Sequence, residues 1–444
     1  MTQPNIIVVI TDDQPGAIMG GELTRTLIRS MPLTQEREDL TWYPNAFCAV
    51  PLCEPDRATI FSGQYDWHHG VTNNPKDDDF VEASDIANAL QAGGYKTGIY
   101  GKRFNAFPFS TNEANAYCPP GYDHCGVFFR TPKPWDYKLI EGVPGSVTVV
   151  PYPKFVNNVI FEPNYATHKI FEKALGFLDA YAPDPQQKFY LYIAPFGPHE
   201  PASPPPSDIQ AITTYLPPLS SFGNVGTGAP QFFANLLPIN VNTERNALRS
   251  AERGMLSVDR GLNDVFAKLA QYGRLEDTVI FFTTDQGVGY GDHKWHTKRI
   301  PYDCAVRVPF FAHWGSHGMH PGTNNAIVSH VDIVSTIAEL AQVAPPAVQD
   351  GVSILGESRT EALIHWMGGN AGGKFGQTGA TPSFWAIATG NYKYCELGPD
   401  LLSPGEVMLH DHTVDEFELT NVANEPAYQN VRTALANTLA ELKP

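Results

Sequence analysis

Four continuous apolar runs alternate with helix-like stretches along the chain. Ile6–Ile10, Lys96–Tyr100, Phe189–Ala194 and Thr278–Phe282 are five to six residues long, too short for helices and without the alternation of a half-exposed strand. The pattern predicts strands of a parallel sheet buried on both faces. Between them, residues 251–272 place Met255, Val258, Leu262, Val265, Phe266 and Leu269 at spacings of three and four, with Gly273 as the stop. Residues 165–181 carry a similar stripe through Ile170, Phe171, Ala174 and Leu178. Both read as helices turning a core face inward. Later in the chain, Trp385–Thr389 and Tyr392–Glu396 predict antiparallel strands, and residues near 426–442 a closing helix. Residues 201–240 are rich in Pro, Ser and Gly and read as a long surface excursion, either a lid or a plain solvent loop.

The polar residues at the ends of these strands carry more information than the strands. In an open α/β sheet, ligands sit at the carboxyl ends of strands. Here those ends lead to Asp12-Asp13, Gly101-Lys102, Pro198-His199 and Asp285-Gln286. One such coincidence is common; four point to a shared site. Asp12 and Asp13 alone would also serve as turn residues after a strand. A second acidic strand end at Asp285 favours a cation between them, because converging carboxylates repel. An all-oxygen set of Asp12, Asp13, Asp285 and the Gln286 amide suits Ca²⁺ or Mg²⁺ rather than zinc.

Composition narrows the partners. The net charge of −17 argues against nucleic acid and against an anionic membrane surface, and no run is long enough to span a bilayer. Six cysteines without a Cys-x-x-Cys pair make a disulfide framework or a structural zinc site unexpected. The first residues lack the basic and apolar regions of a signal peptide, so the expected location is cytoplasmic; a chain whose leader had been removed would read the same and be periplasmic or secreted.

The segment Cys53-Glu54-Pro55-Asp56-Arg57, followed by Ala58–Gly63, reads as a short helix with Cys53 near its N-terminus, where the helix dipole favours an anion. An inert buried thiol is the plainer alternative. This Cys-x-Pro-x-Arg motif resembles the signature of the formylglycine sulfatases, in which the cysteine is oxidised to an aldehyde. Similar segments follow in the family's order: Pro4–Gln14, Gly101-Lys102, Pro198–Pro201, Thr284–Gly287, Gly291–Lys298, Arg307–Pro309, Ser329–Thr336 and Met408–Ala423. Asp12-Asp13-Gln14, Gly101–Asn105 with Cys118–Gly121, and Pro301–Asp303 are most like the glucosamine-6-sulfatase and heparan endosulfatase branch.

The resemblance implies an alkaline-phosphatase-like α/β sandwich over residues 1–360, with a central, mostly parallel sheet flanked by helices. It also implies a small C-terminal subdomain over 361–444 with an antiparallel sheet. It implies hydrolysis of a small-molecule or carbohydrate sulfate ester, calcium at Asp12, Asp13, Asp285, Gln286 and residue 53, and maturation of Cys53 by a formylglycine-generating enzyme. A hydroxyl of the hydrated aldehyde would attack sulfur, and loss of the second hydroxyl's proton would expel sulfate. In that scheme Arg57 holds the hydrate, Lys102 and Lys298 neutralise sulfate oxygens, and His199 protonates the leaving oxygen. His293 and His296 stay open between substrate contacts and satisfied core histidines. Two departures stand out. Lys102-Arg103-Phe104 lacks the histidine of the family's Lys-x-His, and Asp56 puts a carboxylate near Cys53 where Ser or Ala is usual, which would slow its modification. A phosphonate or phosphate ester hydrolase, and a binder of sulfated ligands with an unmodified Cys53, are the competing readings. Oligomeric state is not legible.

Overall fold

The computed structural model describes residues 2–14, 30–211, 220–356, 359–371, 379–398 and 405–444. Each of the four apolar runs is a strand: β1 (Asn5–Thr11), β2 (Lys96–Gly101), β3 (Phe189–Ala194) and β4 (Thr278–Thr284). They lie side by side and parallel in the order β4-β1-β3-β2, at the centre of a ten-stranded sheet. Toward both edges the sheet turns antiparallel, through Phe311–His313 and Leu40–Trp42 on one side and the hairpin Tyr137–Val143/Ser146–Tyr152 on the other.

Side chains of β1 show why these runs are apolar throughout. Ile6, Val8 and Ile10 pack on one face with helix α1 (Cys53–Ser62), Ile86–Ala92 and Asp332–Ala341. Ile7 and Val9 point to the other face, against helices α2 (Ala166–Tyr181) and α3 (Val241–Gln271). A strand with helices on both faces has no polar side.

Two elements differ from expectation. Helix α3 begins ten residues before the expected start: Asn240 caps it, its side chain accepting from the Asn242 and Thr243 amides at 3.1 and 3.2 Å. Its first turns are too polar to show an apolar stripe. The excursion at 201–240 is neither a free lid nor a plain loop where it is described. Phe233 is fully buried, the Trp135 indole donates to the Ser203 carbonyl at 3.0 Å, and Ser221 binds Asp292 at 2.8 Å. Residues 212–219 lie outside the described residues.

Near the C-terminus, Ala362–Trp366, Phe384–Ala388, Tyr392–Leu397 and Val407–Asp411 form an antiparallel four-stranded sheet, with the helix Gln429–Leu442 packed on its two middle strands. A buried ion-pair joint links it to the main body: Lys393 reaches Asp303 at 2.5 Å and also Glu418, while Arg307 holds Asp303 from behind. Cys118 and Cys125 form one local disulfide, which their spacing did not announce; the other four cysteines are unpaired and buried.

Candidate active site

The register of the sheet sets the carboxylates next to each other. Thr11 of β1 pairs with Thr284 of β4, so Asp12 and Asp285 leave the sheet side by side. The Asp13 amide then donates to Asp285 Oδ1 at 3.0 Å, with Asp13 in the left-handed region at φ 58°. At the end of β2, Gly101 has φ 105°, and a Cβ there would stand 2.0 Å from the Ala194 carbonyl oxygen of β3. Only glycine permits that close approach, which lets the Lys102 amide donate to the same oxygen at 2.8 Å.

Lys102 Nζ donates to both oxygens of Asp12, at 2.7 and 2.8 Å. Arg57, on α1, donates to Asp285 Oδ2 at 2.9 Å, to the Lys102 carbonyl at 2.9 Å and to the Thr11 carbonyl at 3.4 Å. Cys53 is the first residue of α1 and is buried. Lys298 Nζ stands 2.8 Å from its sulfur and 2.6 Å from Asp13 Oδ1. The Gln286 amide nitrogen contacts Asp13 Oδ1 and lies 3.6 Å from the sulfur. His199 turns Nε2 toward Asp13 Oδ2 at 3.3 Å. All nine residues singled out by the sequence therefore meet at one place.

Burial works against charge throughout this cluster, and opposite charges outweigh it. Asp12 and Asp13 are held below the usual carboxylate range, chiefly by Lys102 and Lys298 respectively. Lys102 and Lys298 are raised in turn, against the effect of burial, chiefly by Asp12 and Asp13. The Cys53 thiol goes the other way: burial pushes it up to about 11 although both lysines oppose the shift. An unmodified thiol here is thus a poor nucleophile near neutrality.

The donor set fits a hard divalent cation. Three carboxylates converge, and Gln286 Oε1 is buried without a hydrogen-bond partner. Such an oxygen needs a donor or a cation. Ligand atoms of Asp12, Asp13, Cys53 and His199 lie within 4.8 Å of one another. A second acidic group, Asp303, His412 and Glu418, also clusters, but Lys393 and Arg307 already neutralise it.

A cavity of about 600 Å³ opens over the cluster, lined by Cys53, Lys102, His199, His296, Lys298 and Arg299 among others. Arg57 does not reach it; its guanidinium lies behind, clamping Asp285 and the Lys102 backbone. Asp56 points away from Cys53, taking the Ala49 and Val50 amides and the His330 ring, so its carboxylate shapes the preceding loop. Arg103 also turns away, onto Glu82 and the rings of Phe104 and Phe107. Of the two open histidines, His293 is buried and stacked on Tyr302 at 3.6 Å, whereas His296 lines the cavity.

Sequence reasoning missed Glu54, Asn74, Glu200 and Glu244. Glu54 accepts from the Asn105 and Lys76 amides, and its own amide donates to Asn74 at 3.0 Å, tying two cavity loops to the start of α1. A signal existed for Glu54, which sits beside the candidate nucleophile; none existed for Glu244 on the polar face of a helix.

Comparison with known proteins agrees with this geometry. The sulfatase family matches residues 4–343, and the C-terminal region of N-sulphoglucosamine sulphohydrolase matches 291–444. The chain is 26% identical to an extracellular sulfatase SULF-1 homolog of Drosophila melanogaster, over 80% of this chain and 31% of that protein. It is 26% identical to human N-acetylglucosamine-6-sulfatase, over 82% of this chain and 66% of that protein. It therefore spans only part of the length of these curated relatives. A solved structure in complex with its substrate D-glucosamine-2-N,6-O-disulfate superposes with a TM-score of 0.79 at 20% identity, covering 99% of this chain and 97% of the other.

Proposed function

Because the chain belongs to the sulfatase family, we propose that it hydrolyses sulfate monoesters of sugars, with residue 53 acting as a formylglycine made from Cys53. The observation that carries this reading is the convergence on Cys53 of Lys298, Gln286 and Asp13 at the carboxyl ends of parallel strands.

Asp12, Asp13, Asp285 and Gln286, together with residue 53, would hold the cation, for which calcium is the better match and magnesium the alternative. When bound, the cation and the formylglycine supply a polarised sulfate oxygen and a hydroxyl nucleophile. The protein's own groups do the rest. Lys298, already 2.8 Å from the atom at position 53, and Lys102 offset the charge that builds on sulfate oxygens. His199 presents Nε2 to the cavity, where it can hand a proton to the departing alcohol oxygen. Arg57 keeps Asp285 and the Lys102 backbone in place from behind the site.

Partners in this reading are a carbohydrate sulfate and the enzyme that converts Cys53. A sugar substrate draws support from the relatives' names, and a division of the chain near residue 360 goes with it. No helix among the described residues is long and apolar enough to cross a membrane. A cytoplasmic location remains part of the proposal, and cell fractionation tests it. The functional test compares one preparation on nitrophenyl sulfate and on a phosphonate monoester. Faster sulfate-ester cleavage supports the reading; preference for the phosphonate would replace it.

A further inference from the structure

His296 sits at the cavity wall between two carboxylates from different elements. Its Nδ1 donates to Glu244 Oε2 of α3 at 2.6 Å, and its Nε2 donates to Glu200 Oε2 at 3.0 Å. Both bonds together require the protonated ring, because neutral imidazole has one donor. Burial opposes that charge, but the two carboxylates outweigh it and raise the pKa to about 9. Tyr290, whose ring lies 5.8 Å away, and Lys298, two residues along, are further titratable groups beside it.

Glu200 is the neighbour of His199, and its backbone carbonyl accepts a hydrogen bond from His199 Nδ1 at 2.5 Å. The chain of contacts therefore runs Glu244, His296, Glu200, His199, and ends at the ring that faces Asp13 and the cavity. We propose that His296 is a positioning residue: bridging Glu244 and Glu200, it fixes the peptide that orients His199 for proton donation to the leaving alcohol. This rests on the proposed sulfatase reading. Without the bridge, buried Glu244 and half-buried Glu200 face each other, Glu200 swings outward, and His199 Nδ1 loses the acceptor that points Nε2 at the substrate.

The leaving group provides the test. An alkyl sulfate needs a proton on its departing oxygen; a nitrophenyl sulfate scarcely does. In the mature protein, His296→Gln is expected to lower kcat on an alkyl sulfate at least about tenfold more than on nitrophenyl sulfate, with KM little changed. Glu244→Gln, which does not touch the cavity, is expected to give the same selective loss in weaker form and decides the matter if His296→Gln does not fold. In a His199→Gln background the His296 change should cost nothing further on the alkyl ester, since the group it orients is gone. Equal losses on both esters, or an undiminished loss in the His199→Gln background, would overturn the proposal. A wild-type protein that cleaves neither ester overturns the proposed function itself, a result distinct from either of these.

Discussion

Asp12, Asp13, Lys102 and Lys298 line the cavity, with Asp285 and Arg57 behind them, and all six are buried, so removing one charge strands another. Asp285→Asn leaves Arg57 short of its main partner and is expected to destabilise the fold by about 3–5 kcal/mol, read as a lower Tm. Lys298→Ala takes away the cation nearest the reacting position, and kcat should fall roughly 10²–10³-fold; a loss under tenfold would remove Lys298 from the transition state. His296 gives a pH signature. Its folded pKa of about 9 lies above the ordinary histidine value. Its stabilisation is therefore complete below about pH 6.5 and is lost as pH rises toward 9. Melting wild type and His296→Gln side by side should show their Tm gap closing across that window.

Among the elements, the strands were the most legible part of the chain, because burial on both faces makes a run apolar from end to end. The chemistry after each strand was legible for the same reason: the core fixes where the polar residues must begin. The start of α3 was not, since its cap and first turns carry no stripe. The packed part of 201–240 was hidden because Pro and Ser outnumber the anchoring Phe232 and Phe233. Arg57 shows the limit at the site: the motif brings it there, but only the fold reveals that it braces Asp285 from behind. Asp56 also has a role that its place in the motif does not show: its carboxylate accepts from the Ala49 and Val50 amides and meets the His330 ring, contacts set by the loop and by a distant segment. Gly101→Ala tests the strand-end geometry. The added Cβ meets the Ala194 carbonyl in a backbone region that disfavours side chains, so a loss of about 1–3 kcal/mol or more is expected, with displacement of Lys102.

On the scale of the whole molecule, a cation held by Asp12, Asp13, Asp285 and Gln286 would join β1 and β4, the centre of the sheet. Binding to the folded state alone stabilises it by mass action, about 2.7 kcal/mol at a hundredfold excess over Kd. Chelation should therefore lower Tm and calcium restore it, and Asp13→Asn should abolish the response. The most direct measurement is mass mapping of the peptide that carries residue 53, from protein made in its native host. An aldehyde in place of the thiol is the predicted result; a residue 53 that keeps its sulfur throughout would contradict it.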